Sequence, residues 1–313
     1  MKLILTVALN PSIDRRYFIN DFEVGKSYMA YDVEYTPGGD SLNTAKIIKT
    51  FNEPIKVTGF CGGRSGEYVM ESLDFLGIDH RFTPINDETR SRIAILSDFG
   101  IQTEILEKSP SVSGEEVIEF YQLYRDLIKE ADIICASGGL PRGLPEDTYR
   151  DLIVMAKEEG KKFLLDTSGK ALELGIKAEP FLIKPNRDEL EELAGFIMTS
   201  EVEMVRAAKY IIENGVEIVV ISLGKAGALV LRGDHYYRVN IPNIKAVNPS
   251  GAGSAMMAGL AVSLYRDYDF EYILRIAAAC GTANSMEAEA GKIDMAIMKS
   301  IMNEVEIEKR LIW

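Results

Sequence analysis

Histidine is nearly absent from this chain: two residues, His80 and His235, stand among 313, both in polar surroundings. That excludes a His-rich zinc site and argues against a His-based catalytic triad. Cysteine is as scarce. Cys61, Cys135 and Cys280 lie far apart with no metal-ligand spacing, so they read as small buried residues of a reducing compartment, the cytoplasm. No stretch approaches the roughly 20 apolar residues of a membrane span. The apolar run Leu3 to Leu9 is stopped by Asn10-Pro11 with no small-residue cleavage site after it, and reads as a buried first strand rather than a signal peptide. Positive charge is short too: 35 Lys and Arg face 48 Asp and Glu, a net charge of -13. This argues against nucleic acid or an anionic membrane as partner, so an anionic ligand must be held locally. No GxxxxGK[ST] loop occurs, and Gly251-Ala252-Gly253 lacks the third glycine of a dinucleotide fingerprint, with Met256 in its place.

What is present is an ordinary globular composition, 47% hydrophobic and 27% charged, ample for a large core. Short apolar runs at 2–9, 55–60, 131–136, 161–166, 180–184 and 217–222 predict strands. Helical patterns at 41–52, 66–76, 114–129, 146–159, 187–195 and 201–214 alternate with them. The alternation predicts an α/β fold, a mainly parallel sheet with helices on both faces. Residues 13–36 and 88–107 break the rhythm with strand-like alternation and no helix, which predicts a small β-sheet lid over the carboxyl ends of the strands. The exposed lid also offers a homodimer surface. Without repeats or linkers, residues 1–313 read as one domain.

The segment 245–260, KAVNPSGAGSAMMAGL, joins a β-like stretch at 235–241 to a helix of small residues. Glycines let the backbone approach a ligand, and the first amides of such a helix lack intrahelical acceptors, which suits an anionic oxygen. A tight turn needing φ > 0 explains the same glycines equally well. Gly38-Gly39 before a helix starting near Ser41, and Gly62-Gly63 after the 55–60 strand, are further strand-to-helix junctions. Three such turns in one parallel sheet point to a shared site.

The ordered motifs LTVALNPSIDRRY (5–17), PGGDSLNTAK (37–46), GFCGG (59–63), TRSRIAI (89–95), SGGLPRGLP (137–145), LLDTSGKAL (164–172), LIKPNRDEL (182–190), VVISLGKAGAL (219–229) and VNPSGAGSAMMAG (247–259) resemble the PfkB-type carbohydrate kinases of the ribokinase superfamily. The likeness is nearest to the 1-phosphofructokinase and tagatose-6-phosphate kinase branch. It implies a ribokinase-like fold, ATP and Mg²⁺, and a sugar phosphate as acceptor: fructose 1-phosphate, fructose 6-phosphate or tagatose 6-phosphate. By motif, Asp14 would bind sugar hydroxyls with Gly38, Gly39, Asp40 and Asn43 beside it, and Arg90 would clamp the substrate phosphate. Asn186 and Glu189 would position Mg²⁺ mainly through water, with Lys184 ahead of them. Ser222, Gly224, Gly227 and Asn284 fall at nucleotide-binding positions. Gly251, Ala252 and Gly253 match the anion hole for the transferring phosphoryl group. Plainer structural roles exist: Asp14 as a turn residue, Asn186 and Glu189 as a capping box, Arg90 as a solvated strand residue.

Two departures matter. Where the resemblance implies GAGD, with Asp as base, this chain has Ser254; where it implies GGKG, it has Asp40 and Ser41. A serine hydroxyl is a poor base near neutral pH, and loss of a general base costs about 10²–10⁴-fold. Asp40 also puts negative charge where the resemblance implies a positive one, unfavourable for an anionic substrate. Three readings stay open: a slow kinase, a homologue that binds nucleotide or sugar phosphate without turnover, or a site in which Asp40 has become the base.

Overall fold

The computed structural model describes residues 2–97 and 102–312. The chain opens with β1 (Leu3–Ala8). Its Leu5 and Val7 pack into one core and Ile4 and Ala8 into another, on the opposite face. A continuous apolar run is what a strand covered on both sides requires. The chain continues through β2 (Ser12–Phe18), β3 (Asp32–Gly38), α1 (Asp40–Thr50), β4 (Ile55–Gly62), α2 (Gly63–Phe75) and β5 (Asp79–Ile85). Then come β6 (Arg90–Leu96), β7 (Gln102–Leu106), α3 (Gly114–Leu127), β8 (Ala131–Ser137), α4 (Thr148–Glu158), β9 (Lys162–Asp166) and α5 (Gly169–Ile176). The rest is β10 (Leu182–Ile183), α6 (Arg187–Ala194), α7 (Glu201–Glu213), β11 (Ile218–Ser222), β12 (Ala228–Arg232), β13 (His235–Asn240), α8 (Ala252–Tyr265), α9 (Phe270–Ser285), α10 (Met295–Glu304) and β14 (Glu306–Leu311).

Ten strands form one sheet in the order β14-β13-β12-β11-β10-β9-β8-β1-β4-β5. From β5 to β11 every pairing is parallel. The last three strands add an antiparallel edge. From β1 the chain proceeds to β4 on one side, and from β8 to β9 on the other. The crevice beyond the carboxyl ends of β1 and β8 is therefore a topological switch point, where open α/β sheets bind ligands.

A second sheet, β3-β2-β6-β7, is the predicted lid. The part of the expected 88–107 segment at 98–101 lies outside the described residues. β2 pairs in parallel with β6, which sets Ser12 opposite Arg90 and Asp14 opposite Arg92. The lid thus arrives at the switch point carrying one row of charged side chains.

The predicted 180–184 strand shrinks to the two residues of β10, between Pro180 and Pro185, which lack the N–H a ladder needs. β5 was not anticipated; it contains Pro84 and lies at the sheet edge, where proline is tolerated. β14 is mostly exposed and polar, so no hydrophobic pattern marks it; backbone pairing to β13 holds it. No helix among the described residues is long and apolar enough to cross a membrane.

Candidate active site at the carboxyl ends of the strands

Two helix starts face each other across the switch point. α1 is capped by Gly39, at φ 97°, where an L side chain would be strained, and Asp40 is its first residue. The next residue anchors it. The buried Ser41 hydroxyl lies 2.7 Å from the Val7 carbonyl oxygen and 2.9 Å from that of Ser137, and accepts from the Ser137 amide at 3.0 Å. Ser41, where the resemblance implies a glycine, therefore bridges β1 and β8 where their ladder ends. Thr44 Oγ1 reaches both the Asp40 carbonyl at 3.0 Å and the Ser254 carbonyl at 3.1 Å, tying α1 to α8. In this frame the Ser254 hydroxyl donates to Asp40 Oδ1 at 3.4 Å.

α8 begins after Gly251, a left-handed residue at φ 88°, and no side chain caps it. The Ala252 amide bonds the Pro249 carbonyl oxygen at 3.3 Å. The amides that follow in the first turn of an uncapped helix keep their donors for a ligand, and the helix dipole favours negative charge there. A methyl group on Gly253 would sit 3.2 Å from Lys184 Nζ. That ammonium is almost fully buried and pairs with Asp166 Oδ2 at 3.1 Å. Burial raises the Asp166 pKa, Lys184 opposes the rise, and the nearby Asp40 carboxylate adds to it. Asn284 is fully buried behind the turn, donating to the Lys292 carbonyl at 2.8 Å. Its unpartnered Oδ1 faces Gly251, where a side chain would come within 2.9 Å.

Around these starts the site is a row of cavities. One of about 400 Å³ is walled by Ile241, Pro242, Ile244, Met256 and Ala278, with Asn186, Ser222, Gly224, Gly227, Ala252 and Gly253 around it. Apolar walls with a few polar groups at one end suit a small organic ligand with a charged tail. A second, polar cavity holds Asp40, Gly138, Gly139, Asp166, Glu189, Gly251, Gly253 and Ser254. A third contains Asn10, Gly39, Asp40, Arg90 and Ser137. Three buried polar atoms there have no hydrogen-bond partner: Asn10 Oδ1, Arg90 Nε and Ser137 Oγ. Unpaired buried groups of this kind are costly unless a ligand or water completes them. A fourth, beneath the lid, is lined by Asp14, Arg16, Thr36, Arg92, Glu104, Asn248 and Ser250.

Asn186 and Glu189 do form the capping box, with the Asn186 side chain accepting from the Glu189 amide at 2.9 Å and Glu189 from the Asn186 amide at 2.8 Å. They also line the first and second cavities respectively. Burial raises the Glu189 pKa. Asp14 is held by the Ser12 hydroxyl at 2.8 Å; burial raises its pKa, against Ser12 and the cations Arg92, Lys46 and Arg90. Gly38 abuts Asp14, leaving no room for a side chain. Asn43 is buried against Gly291, with Oδ1 unpartnered.

Arg92 was missed by the sequence reading, although strand periodicity puts it on the same lid face as Arg90. It reaches Glu104 at 2.7 Å and Ser250 Oγ at 3.0 Å, linking the lid to the turn before α8. Lys46 was missed as well. It is buried, donating to the Ala290 carbonyl at 3.0 Å and to Glu289 at 3.4 Å, and burial lowers its pKa. No local motif marks a lysine buried by a contact so distant in sequence.

A lidded α/β crevice, an amide-lined helix start and cations converging on unpaired polar groups define a phosphotransferase acting on small molecules. The chain belongs to the pfkB family of carbohydrate kinases, whose pattern it matches over residues 8–292. It is 39% identical over 308 residues to a Staphylococcus epidermidis protein named tagatose-6-phosphate kinase, covering 97% of this chain and 99% of that one. Escherichia coli phosphofructokinase-2 in complex with potassium superposes with a TM-score of 0.92 at 24% identity, covering 97% and 99% of the two chains. The same enzyme with fructose-6-phosphate gives 0.88 at 24%, with the same coverage. At that identity the likeness establishes the fold.

Proposed function

We propose that the chain phosphorylates a ketose phosphate, of the tagatose 6-phosphate, fructose 6-phosphate or fructose 1-phosphate type, with ATP as donor. The observation that carries this reading is the placement of Arg90. Its guanidinium, half-buried on the lid, lines a cavity that shares Asp40, Gly138 and Gly139 with the cavity at the α8 start. A phosphate already on the sugar finds a cation there, and the lid cavity beside it offers Asp14 for hydroxyls. The nucleotide takes the 400 Å³ cavity, its phosphates directed at the 251–253 amides. Glu189 and Asp166 present carboxylate oxygens to the phosphoryl cavity, hard donors that suit the water shell of a nucleotide-borne Mg²⁺. That ion, when bound, supplies charge neutralisation on the phosphates. Lid closure would exclude water from the transfer.

The test is ADP release over a panel of phosphorylated and free ketoses, alongside the melting-temperature shift produced by Mg²⁺–ATP. Turnover confined to phosphorylated sugars is expected. Stabilisation by ATP with no turnover on any acceptor would instead make this a nucleotide-binding homologue, the alternative that Ser254 at the base position raises.

A further inference from the structure

We propose that Asp40 is the catalytic base of this chain, taking the proton of the acceptor hydroxyl from the first turn of α1 rather than from α8. The inference rests on the kinase reading above and assigns a residue within it. Asp40 is exposed, and it lines both the sugar-side cavity with Arg90 and the phosphoryl cavity with Gly251 and Gly253. It thus stands between the two substrates. Ser254 lines the phosphoryl cavity and spends its hydroxyl proton on Asp40 Oδ1 at 3.4 Å. That bond orients the carboxylate. The other oxygen, Oδ2, lies against Gly138, where a side chain would sit 3.3 Å away, so the glycine at φ 95° keeps this approach clear.

The other carboxylates of the site are committed elsewhere. Asp166 is paired to the Lys184 ammonium. Glu189 is bonded to the Asn186 amide within the capping box. Asp14 is bonded to Ser12 and lines the lid cavity. Asp40 has the one carboxylate among these that meets both cavities, and Arg90 and Arg92 offset its charge from the lid. In the step, the acceptor oxygen bonds to the γ-phosphorus and its proton passes to an Asp40 oxygen. The bond from the γ-phosphorus to the bridging oxygen breaks, and its electron pair leaves on ADP. The exchange of Lys for Asp at 40 and of Asp for Ser at 254 then moves a base across the crevice rather than deleting it.

The experiment compares wild type, Asp40→Asn and the double variant Asp40→Lys/Ser254→Asp, which restores the family arrangement. It measures kcat and KM on tagatose 6-phosphate, fructose 6-phosphate and fructose 1-phosphate. Expected is a wild type that turns over and an Asp40→Asn variant with kcat lower by about 10²–10⁴-fold. Both KM values and the Mg²⁺–ATP melting shift should be nearly unchanged, and the double variant should be active. Asp40→Ser serves in the same way should Asp40→Asn fold poorly. An active wild type whose kcat survives Asp40→Asn or Asp40→Ser overturns the assignment. So does a silent wild type beside an active double variant, a result that spares the scaffold as a kinase. Silence of both on all three sugars sinks the kinase reading and this inference together.

Discussion

On the proposed reading, the nucleotide half and the sugar half of the crevice are built from different materials. The first is made of backbone and small residues: Gly224, Gly227, Gly253 and Gly281, with Gly251 at the start of α8, apolar walls, and a capping box at Asn186. The second is made of charges drawn from four places in the chain: Asp14 on β2, Asp40 and Lys46 on α1, Arg90 and Arg92 on β6, Glu289 after α9. A backbone cradle recognises what every reaction of the class shares, a chain of phosphates. Side-chain charge can vary position by position without disturbing such a cradle, which is how the resemblance leads us to read Asp40 and Ser254. The contrast predicts that substitutions in one half leave binding to the other intact.

The largest separation is expected at Arg90→Gln. Removing a half-buried cation from an anionic ligand costs about 2–4 kcal/mol, roughly 30- to 1000-fold in KM for the phosphosugar. KM for ATP should be nearly constant, and so should the melting shift with Mg²⁺–ATP. Equal losses for both substrates would show that Arg90 supports the fold of the crevice rather than one side of it.

The mirror-image substitution is Gly227→Ala. Gly227 has φ 81°, and a side chain there would collide with the Val239 carbonyl oxygen. A strained backbone residue of this kind costs about 1–3 kcal/mol. The expected result is a lower melting temperature and a raised KM for ATP, with phosphosugar KM held. Nucleotide affinity equal to that of the wild type would remove this loop from the cradle.

The same contrast explains what was legible in the sequence. The inner strands of the parallel sheet announce themselves because both faces are buried, as Ile4, Leu5 and Val7 show, whereas the half-exposed edge strand β5 does not. The cradle announces itself because the turn demands glycine at 251, with its positive φ, and the approach of Lys184 leaves little room for a side chain at 253. The sugar half is harder to read. Arg92 meets Ser250 across 158 residues of sequence, and Lys46 meets Ala290 across 244. Such contacts leave no local trace. Nothing in the sequence around Ser41 discloses that its hydroxyl joins β1 to β8. β14 was invisible because an exposed edge strand is held by its backbone and has no required side-chain pattern.

The smallest effect is expected at Asp14→Asn, and its sign is informative. Burial holds the Asp14 pKa above the ordinary carboxylate value of 3.8 in the folded protein. With the folded value raised, the native state binds the proton more tightly than the unfolded one. Stability therefore falls as pH rises from the unfolded pKa through the folded one, and the penalty is complete at neutral pH. Asparagine has no such proton to lose. Asp14→Asn should raise the melting temperature slightly at pH 7, with the gain shrinking towards zero as pH falls to the unfolded pKa. The same change should weaken binding of the sugar, because a carboxylate accepting from sugar hydroxyls is a stronger partner than an amide. Opposite signs for stability and sugar affinity would mark Asp14 as a charge kept for its ligand at a cost to the fold. A melting temperature that falls at neutral pH would show instead that Ser12, Arg92, Lys46 and Arg90 outweigh the burial of this carboxylate.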